Sequence, residues 1–348
     1  MAYTTIKKPS DYFNTKLYTG NGSNGNAITG VGFQPDFVWI KNRDVTYWHQ
    51  LYDAVRGVSA GTLYSNQTGA EDFGSGTLLA SFDSDGFTVN SNDGCNGNGE
   101  NLVSWNWLAS NTTASNTDGS INSTVSANTT SGFSIATFTT PSSGTVFDVG
   151  HGLGGKPDMM IMKSRGSAAD WWTWHIGLGD NTTDFLSLNT TNAENSASGM
   201  WGTVGAGTST FGYTAGTSAP TSTDTVAYFF KSIKGFSKFG SYTGNGNADG
   251  TFVYTGFKPA FVFIKNTTLG NRGVMYDNKR LGYNPNNYSL GADVNLAEES
   301  SSWTLIDTYS NGFKCRSTDG SQNASGGNYI YMAFAEEPLV GDNPATAR

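Results

Sequence analysis

Charge is scarce in this chain, and what there is does not cluster. Charged residues are 14% of the 348 positions and the net charge is −8. With no basic block and no Lys/Arg stripe, the electrostatic footprint of nucleic-acid binding is missing. No apolar run reaches the roughly 18 residues that a membrane-spanning helix needs, which argues against membrane insertion. The start, "MAYTTIKKPSDYF", lacks the apolar core of a cleaved signal peptide, so synthesis in a cytoplasm without export by a cleaved signal is expected. The two cysteines, Cys95 and Cys315, make neither a disulfide framework nor a zinc site, and whether they pair stays open. His49, His151 and His175 are the three histidines, and none has a partner at metal-ligand spacing. The glycine-rich "DVGHGLGGKP" around His151 runs into a strand pattern, whereas a phosphate loop would need a helix there. No metal or cofactor is expected. Long stretches of 3.6-residue periodicity are also absent, which excludes a helix-rich fold.

What is present is glycine, 45 residues of it, and aromatic side chains at 13%. Short apolar runs lie between Gly, Asn, Asp and Ser clusters, the pattern of an all-β protein. One phrase is written three times: "FQPDFVWIKNRD" from 33, "GKPDMMIMKSRG" from 155 and "FKPAFVFIKNTT" from 257. Anchored on Pro35, Pro157 and Pro259, it places Lys41, Lys163 and Lys265 at one offset. Other landmarks keep the same order around each anchor. An opening strand precedes it ("KLYTGNG", "FSIATFTT", "FGSYTGNG"). An Ala-Glu pair follows, ending in Glu71, Glu194 and Glu298. A turn and strand come next ("DSDGFTV", "STFGYT", "YSNGFKC"), then an apolar closing strand ("LVSWNWLA", "TVAYFFK", "YIYMAFAEE"). Repeated order at repeated offsets marks tandem modules.

The expected architecture is three tandem β-sandwich modules, jelly-roll-like, over 12–110, 132–232 and 233–338. A leader at 1–11, a polar Ser/Thr/Asn linker at 111–131 and a tail at 339–348 complete the chain. In the closing strands apolar residues alternate with others (Val103, Trp105, Trp107 against Ser104, Asn106), which predicts one buried face. The repeated phrase is apolar on both faces, so it predicts a central strand covered on both sides, with the proline blocking extension at the strand's start.

Candidate chemistry is sparse. Asp53 and Asp277 share an offset from their prolines, where the middle module has His175. Paired carboxylates are the apparatus of glycoside hydrolysis, but that needs one acid of raised pKa beside an ionised partner. Three copies of one Glu read better as a structural position bonding backbone N–H groups, so no catalytic residue is assigned. No GxSxG motif occurs. Tyr47 and Trp48 in one loop, and Trp171, Trp172 and Trp174 in its counterpart, are candidate glycan or subunit contacts, against the alternative that they pack over the sandwich.

The runs "SDYFNTKLYTGNG", "ITGVGFQPDFVWIKNRD", "LYDAVRG", "SFDSDGFTV", "VSWNWLA" and "YMAFAEEPLVGDN" resemble a repeat domain of unknown function found in virion structural, tail-fibre-like proteins of marine tailed bacteriophages. The resemblance covers the first and third modules well and the second through "KPDMMIMKSRG", "LSLNTTNAEN" and "YFFK". It implies a non-enzymatic virion surface protein, a head decoration or short tail-fibre-type appendage. Its expected partners are other virion proteins, further copies of itself and a host surface glycan. The rival readings are a carbohydrate-binding adhesin and a glycan-degrading enzyme. Tyr3, Ile6 and Pro9 of the leader are the candidate virion anchor, expected to be ordered by a partner.

Overall fold

The three copies of the phrase form strands Phe37–Asn42, Met159–Ser164 and Phe257–Asn266. Each lies between its closing strand and a short antiparallel neighbour, and the register is the same every time. Phe37 faces Trp107 and Asp53, Met159 faces Phe230 and His175, and Phe261 faces Phe334 and Asp277. Opening strands Phe13–Thr19, Phe133–Thr139 and Ser237–Thr243 pair with the far side of the closing strands. The computed structural model that carries these strands describes residues 4–340 apart from 75, 77, 204, 301, 302 and 304, together with 344 and 345.

The chain is all-β, and each large sheet is covered by a small one. The first has five strands and is covered by Asn26–Thr29, Gly86–Val89 and Leu79–Asp83. The second has eight, covered by Val146–Gly150 and Thr210–Thr214. The third has six, covered by Phe252–Tyr254, Gly312–Cys315 and Ile306–Tyr309. In the first unit the opening, phrase and closing strands share the large sheet, while Asn26–Thr29 and Gly86–Val89 lie in the small one. That is jelly-roll alternation at the sheet's centre. Gln50–Asp53 and Leu63–Tyr64 depart from it by extending the large sheet.

Period-two alternation along the phrase feeds two different cores. Val38 and Ile40 pack with Phe87 and Val89, Met160 and Met162 with Phe211 and Tyr213, and Val262 and Ile264 with Phe313 and Cys315. The opposite faces, Phe37 and Trp39, Met159 and Ile161, Phe261 and Phe263, all enter one cluster shared by the three large sheets. The phrase is therefore buried on both faces, as its composition predicts.

Four expectations need correction. The closing strand of the first unit has no wet face: Ser104 and Asn106 are fully buried, and Asn106 donates to the carbonyls of Asn14 and Ser104. Pro259 does not end its strand but sits inside it at a register shift, where a missing N–H is tolerated. Residues 111–131 are not a bare linker, because Ala114–Asn116 and Ser123–Asn128 extend the second sheet beside Phe133–Thr139. Nor is the leader free to wait for a partner. Ile6 is 2% exposed and belongs to the shared core, and Pro9 is buried in a 3-10 turn, Pro9–Asp11. Tyr3 lies outside the described residues. Deleting residues 2–10 is thus expected to destabilise the protein by about 2 kcal/mol or more, the value of one large buried aliphatic side chain. The urea midpoint measures this, and an unchanged midpoint would restore the free-anchor reading.

Candidate functional site

The repeated carboxylates meet where one unit touches the next. In "LYDAVRG" the strand Gln50–Asp53 ends in a turn that brings Arg56 back onto Asp53, Nε to Oδ2 at 2.5 Å. The same guanidinium reaches Glu71 at 2.9 Å, and Glu71 also accepts from Arg165 of the second unit at 2.7 Å. Tyr228 of the second unit donates its hydroxyl to Asp53 at 2.8 Å. The third unit repeats the arrangement against the first. Arg280 pairs with Asp277 at 2.5 Å and with Glu298 at 3.0 Å, Arg43 reaches Glu298 at 2.6 Å, and the Trp105 indole donates to Asp277 at 3.1 Å.

The backbone states the same rule three times. The N–H of Glu71 donates to the carbonyl of Arg165, that of Glu194 to Thr267, and that of Glu298 to Arg43, at 2.9, 2.9 and 2.7 Å. First joins second, second joins third, and third joins first, so the contacts close a ring. Thr267 stands where the other units carry Arg43 and Arg165, so Glu194 has no arginine there. Its carboxyl accepts instead from the Gly179 N–H at 2.7 Å, and burial raises its pKa above the ordinary carboxylate value. Buried lysines add to two of the junctions. Lys163 donates to the Thr68 carbonyl of the first unit, and Lys265 to Thr190 of the second. Burial lowers Lys163 to about 8.

Chemically, this geometry joins one unit to the next. Both carboxylates of each Asp–Glu pair are bridged by one guanidinium. The arginines are the residues that sequence reasoning missed. Their signal was there, an Arg at one offset after Asp in both "LYDAVRG" and "MYDNKRL".

All three histidines are buried and bond in one manner. The Nδ1 atoms accept, from the Trp39 indole for His49, the Leu153 N–H for His151 and the Gly177 N–H for His175. The Nε2 atoms face the carbonyls of Gly291, Gly207 and Tyr331, which assigns the proton to Nε2 and leaves each ring neutral. Burial lowers His151 and His175 to about 4. A histidine depressed in the folded state binds protons more readily once unfolded. Its contribution is complete above the unfolded value, near 6.5, and is lost as pH falls towards 4. His175→Gln should therefore shrink the stability lost between pH 7 and pH 4.5 by about 2 kcal/mol. Urea midpoints at the two pH values test this. Asp36, raised to about 6 by burial, acts with the opposite sign in both proteins, so the difference between them isolates His175.

Cys95 and Cys315 are free thiols in two separate sandwich cores, where burial pushes both up to about 12. Among the described residues, no group of three or more His, Cys, Asp or Glu is placed to hold a metal ion.

The aromatic candidates divide. Trp171 and Trp174 have no exposed surface, which removes them as ligand contacts. Trp171 enters the shared core and donates to the Tyr64 carbonyl of the first unit at 2.9 Å, while Trp174 lies in the second sandwich and donates to Asn181. Trp172, between them on the strand, is half-buried. The expected loop is largely strand: Trp172–His175 pairs with Met159–Ser164 in the large sheet, and Trp171 and Trp174 satisfy their N–H groups in the two different cores they enter. Tyr47 and Trp48 stay at the surface, with the Tyr47 hydroxyl on Asp93 at 2.8 Å and Trp48 edge-on to Tyr64.

No curated protein and no solved structure matches the chain. One family model does, in a single span over residues 8–338, which includes all three large sheets and the ring of contacts between them. The chain belongs to that family, described as a domain of unknown function, DUF7483.

Proposed function

We propose that this protein is a non-enzymatic structural component of a virion surface, a head decoration or short tail-fibre-type appendage of a tailed bacteriophage that contributes to host adhesion. The observation that carries the reading is the closed ring. Three β-sandwiches bury their inner faces in one aromatic core and are joined by ion pairs and backbone bonds, which suits a rigid body exposed outside a cell. The carboxylates that a glycan-degrading enzyme would use are committed to those junctions, which favours the structural reading over the enzymatic rival.

Contacts with other virion proteins and assembly of several copies belong to this proposal. The test is cryo-EM and mass spectrometry of intact particles from a producing host. Density for the ring at the head or tail, with a fixed copy number, is the expected result, and absence of the chain from purified particles would end the virion reading. Purified protein incubated with host polysaccharide should release no reducing ends. Release that Glu71→Gln or Glu298→Gln abolishes would replace the structural reading with a hydrolytic one.

A further inference from the structure

We infer that the outer face of the third unit's small sheet is a stacking platform for a neutral polysaccharide. In that sheet Gly312–Cys315 lies between Phe252–Tyr254 and Ile306–Tyr309. Val253, Phe313, Cys315 and Ile306 point into the sandwich core. The alternation of a strand therefore turns Phe252, Tyr254, Gly312, Lys314, Asp307 and Tyr309 outward. The register sets them in two rows, Phe252–Lys314–Asp307 and Tyr254–Gly312–Tyr309.

Gly312 leaves the centre of the second row without a side chain. A Cβ there would collide with the Val253 carbonyl oxygen and stand 3.0 Å from the tip of the Phe252 ring, so the neighbouring strand excludes a side chain at this place and the ring lies close to the bare backbone. Tyr309 meets Phe252 edge-on at 6.0 Å and 72°, and Tyr254 continues along the strand. Phe252 is 44% and Tyr254 51% exposed.

The fold does not need these rings, and the chain contains its own control. At the places of Phe252, Tyr254 and Tyr309 the first unit carries Ala27, Thr29 and Asp83, in the same register around Gly86. In the second unit Val146 and Asp148 stand at the first two places, around Gly212. Two like sandwiches close without an aromatic cluster here, so packing does not explain the third.

The rim selects the ligand. Lys314 and Arg316 pair with Asp249 at 2.5 and 3.2 Å, and Arg316 pairs with Asp307 at 3.3 Å. Lys238 stands 5.3 Å from the Tyr254 ring centre. Lys314, Arg316, Asp249 and Asp307 neutralise one another, and Lys238, whose ammonium donates to the Tyr254 carbonyl at 2.7 Å, adds a single positive charge at the edge, so the face carries little net charge while supplying donors and acceptors for sugar hydroxyls. Ring faces accept the C–H faces of pyranoses. Three half-exposed aromatic side chains offer on the order of 300 Å², short of the roughly 800 Å² per partner of a stable protein interface, so an oligosaccharide fits better than a second copy.

This inference deepens the adhesion part of the proposed function and rests on it only for the source of the sugar. Its test uses the purified full chain without particles, so either idea can fail alone. Affinity electrophoresis would use gels containing laminarin, dextran or galactomannan, with anionic alginate as the contrast. Retardation is expected in at least one neutral gel. It should weaken at least tenfold in the variant Phe252→Ala, Tyr254→Ala, Tyr309→Ser, with the urea midpoint confirming that the variant folds. Migration unaffected by all three neutral polysaccharides would overturn the inference. So would equal retardation of the variant, or retardation by alginate alone. Sedimentation showing a dimer that the variant abolishes would assign the face to a second copy instead.

Discussion

Trp107→Ala is expected to lower the free energy of unfolding by about 3–5 kcal/mol, the range for emptying a buried aromatic site. Trp107 is 1% exposed and meets rings from all three large sheets: Phe13 and Phe37 of the first, Phe230 of the second, Phe261 and Phe334 of the third. The void would open where the sheets converge, and no single unit can collapse to fill it without pulling away from the other two. Urea unfolding followed by tryptophan fluorescence measures the loss. Trp107→Phe should cost less, because Phe230 and Phe334 already serve at the matching places and the Trp107 N–H has no partner to forfeit. A loss below about 1 kcal/mol in Trp107→Ala would mean that the shared core is not what joins the units.

The second large effect concerns the junction of the third unit with the first. Asp277→Ala should cost about 3–5 kcal/mol, because it strips one partner from a buried pair and leaves the other charge uncompensated. Asp277 and Arg280 have no exposed side-chain surface. Asp277 also accepts the Trp105 indole and the N–H groups of Lys279 and Arg280. Glu298 would remain beside Arg280, but it is shared with Arg43. Removing both charges in Asp277→Ala/Arg280→Met should recover part of the loss, since no buried charge is then left alone. If the double variant is no better than the single one, lost packing is the cause and not the orphaned charge.

The recurrence of one phrase, and its apolar character on both faces, was legible in the residues because a strand's period is two whatever surrounds it. Pro35, Pro157 and Pro259 mark equivalent strands, and Phe37, Met159 and Phe261 stand at one offset from them, while the register opposite Trp107, Phe230 and Phe334 came only with the structure. The recurrence of the Glu marked a structural position, but the expected bonds to backbone N–H groups hold only for Glu194, which accepts from Gly179; the carboxylates of Glu71 and Glu298 pair with arginines instead. Arg165, Thr267 and Arg43 are far from Glu71, Glu194 and Glu298 in the chain, and only the closing of the ring brings each donor to its carbonyl.

Sequence pattern tells how many faces of a strand are apolar, but not which body covers each face. The second cover of the phrase is the other two sheets. That is why Trp171 turns inward and why Ile6 of a polar-looking leader is core; Trp174, Ser104 and Asn106 lie on the opposite face, where each sandwich's own small sheet keeps them dry. The polar stretch 111–131 becomes strand because backbone bonds to a waiting sheet edge do not require apolar side chains. The sequence by itself determined the all-β class, the order of the repeated strands and the two apolar faces of the phrase, since these depend on neighbours a few residues apart. The tertiary structure alone decided that three sandwiches share one core, and so which aromatics are left at the surface, because burial is a property of surfaces that meet across the whole chain.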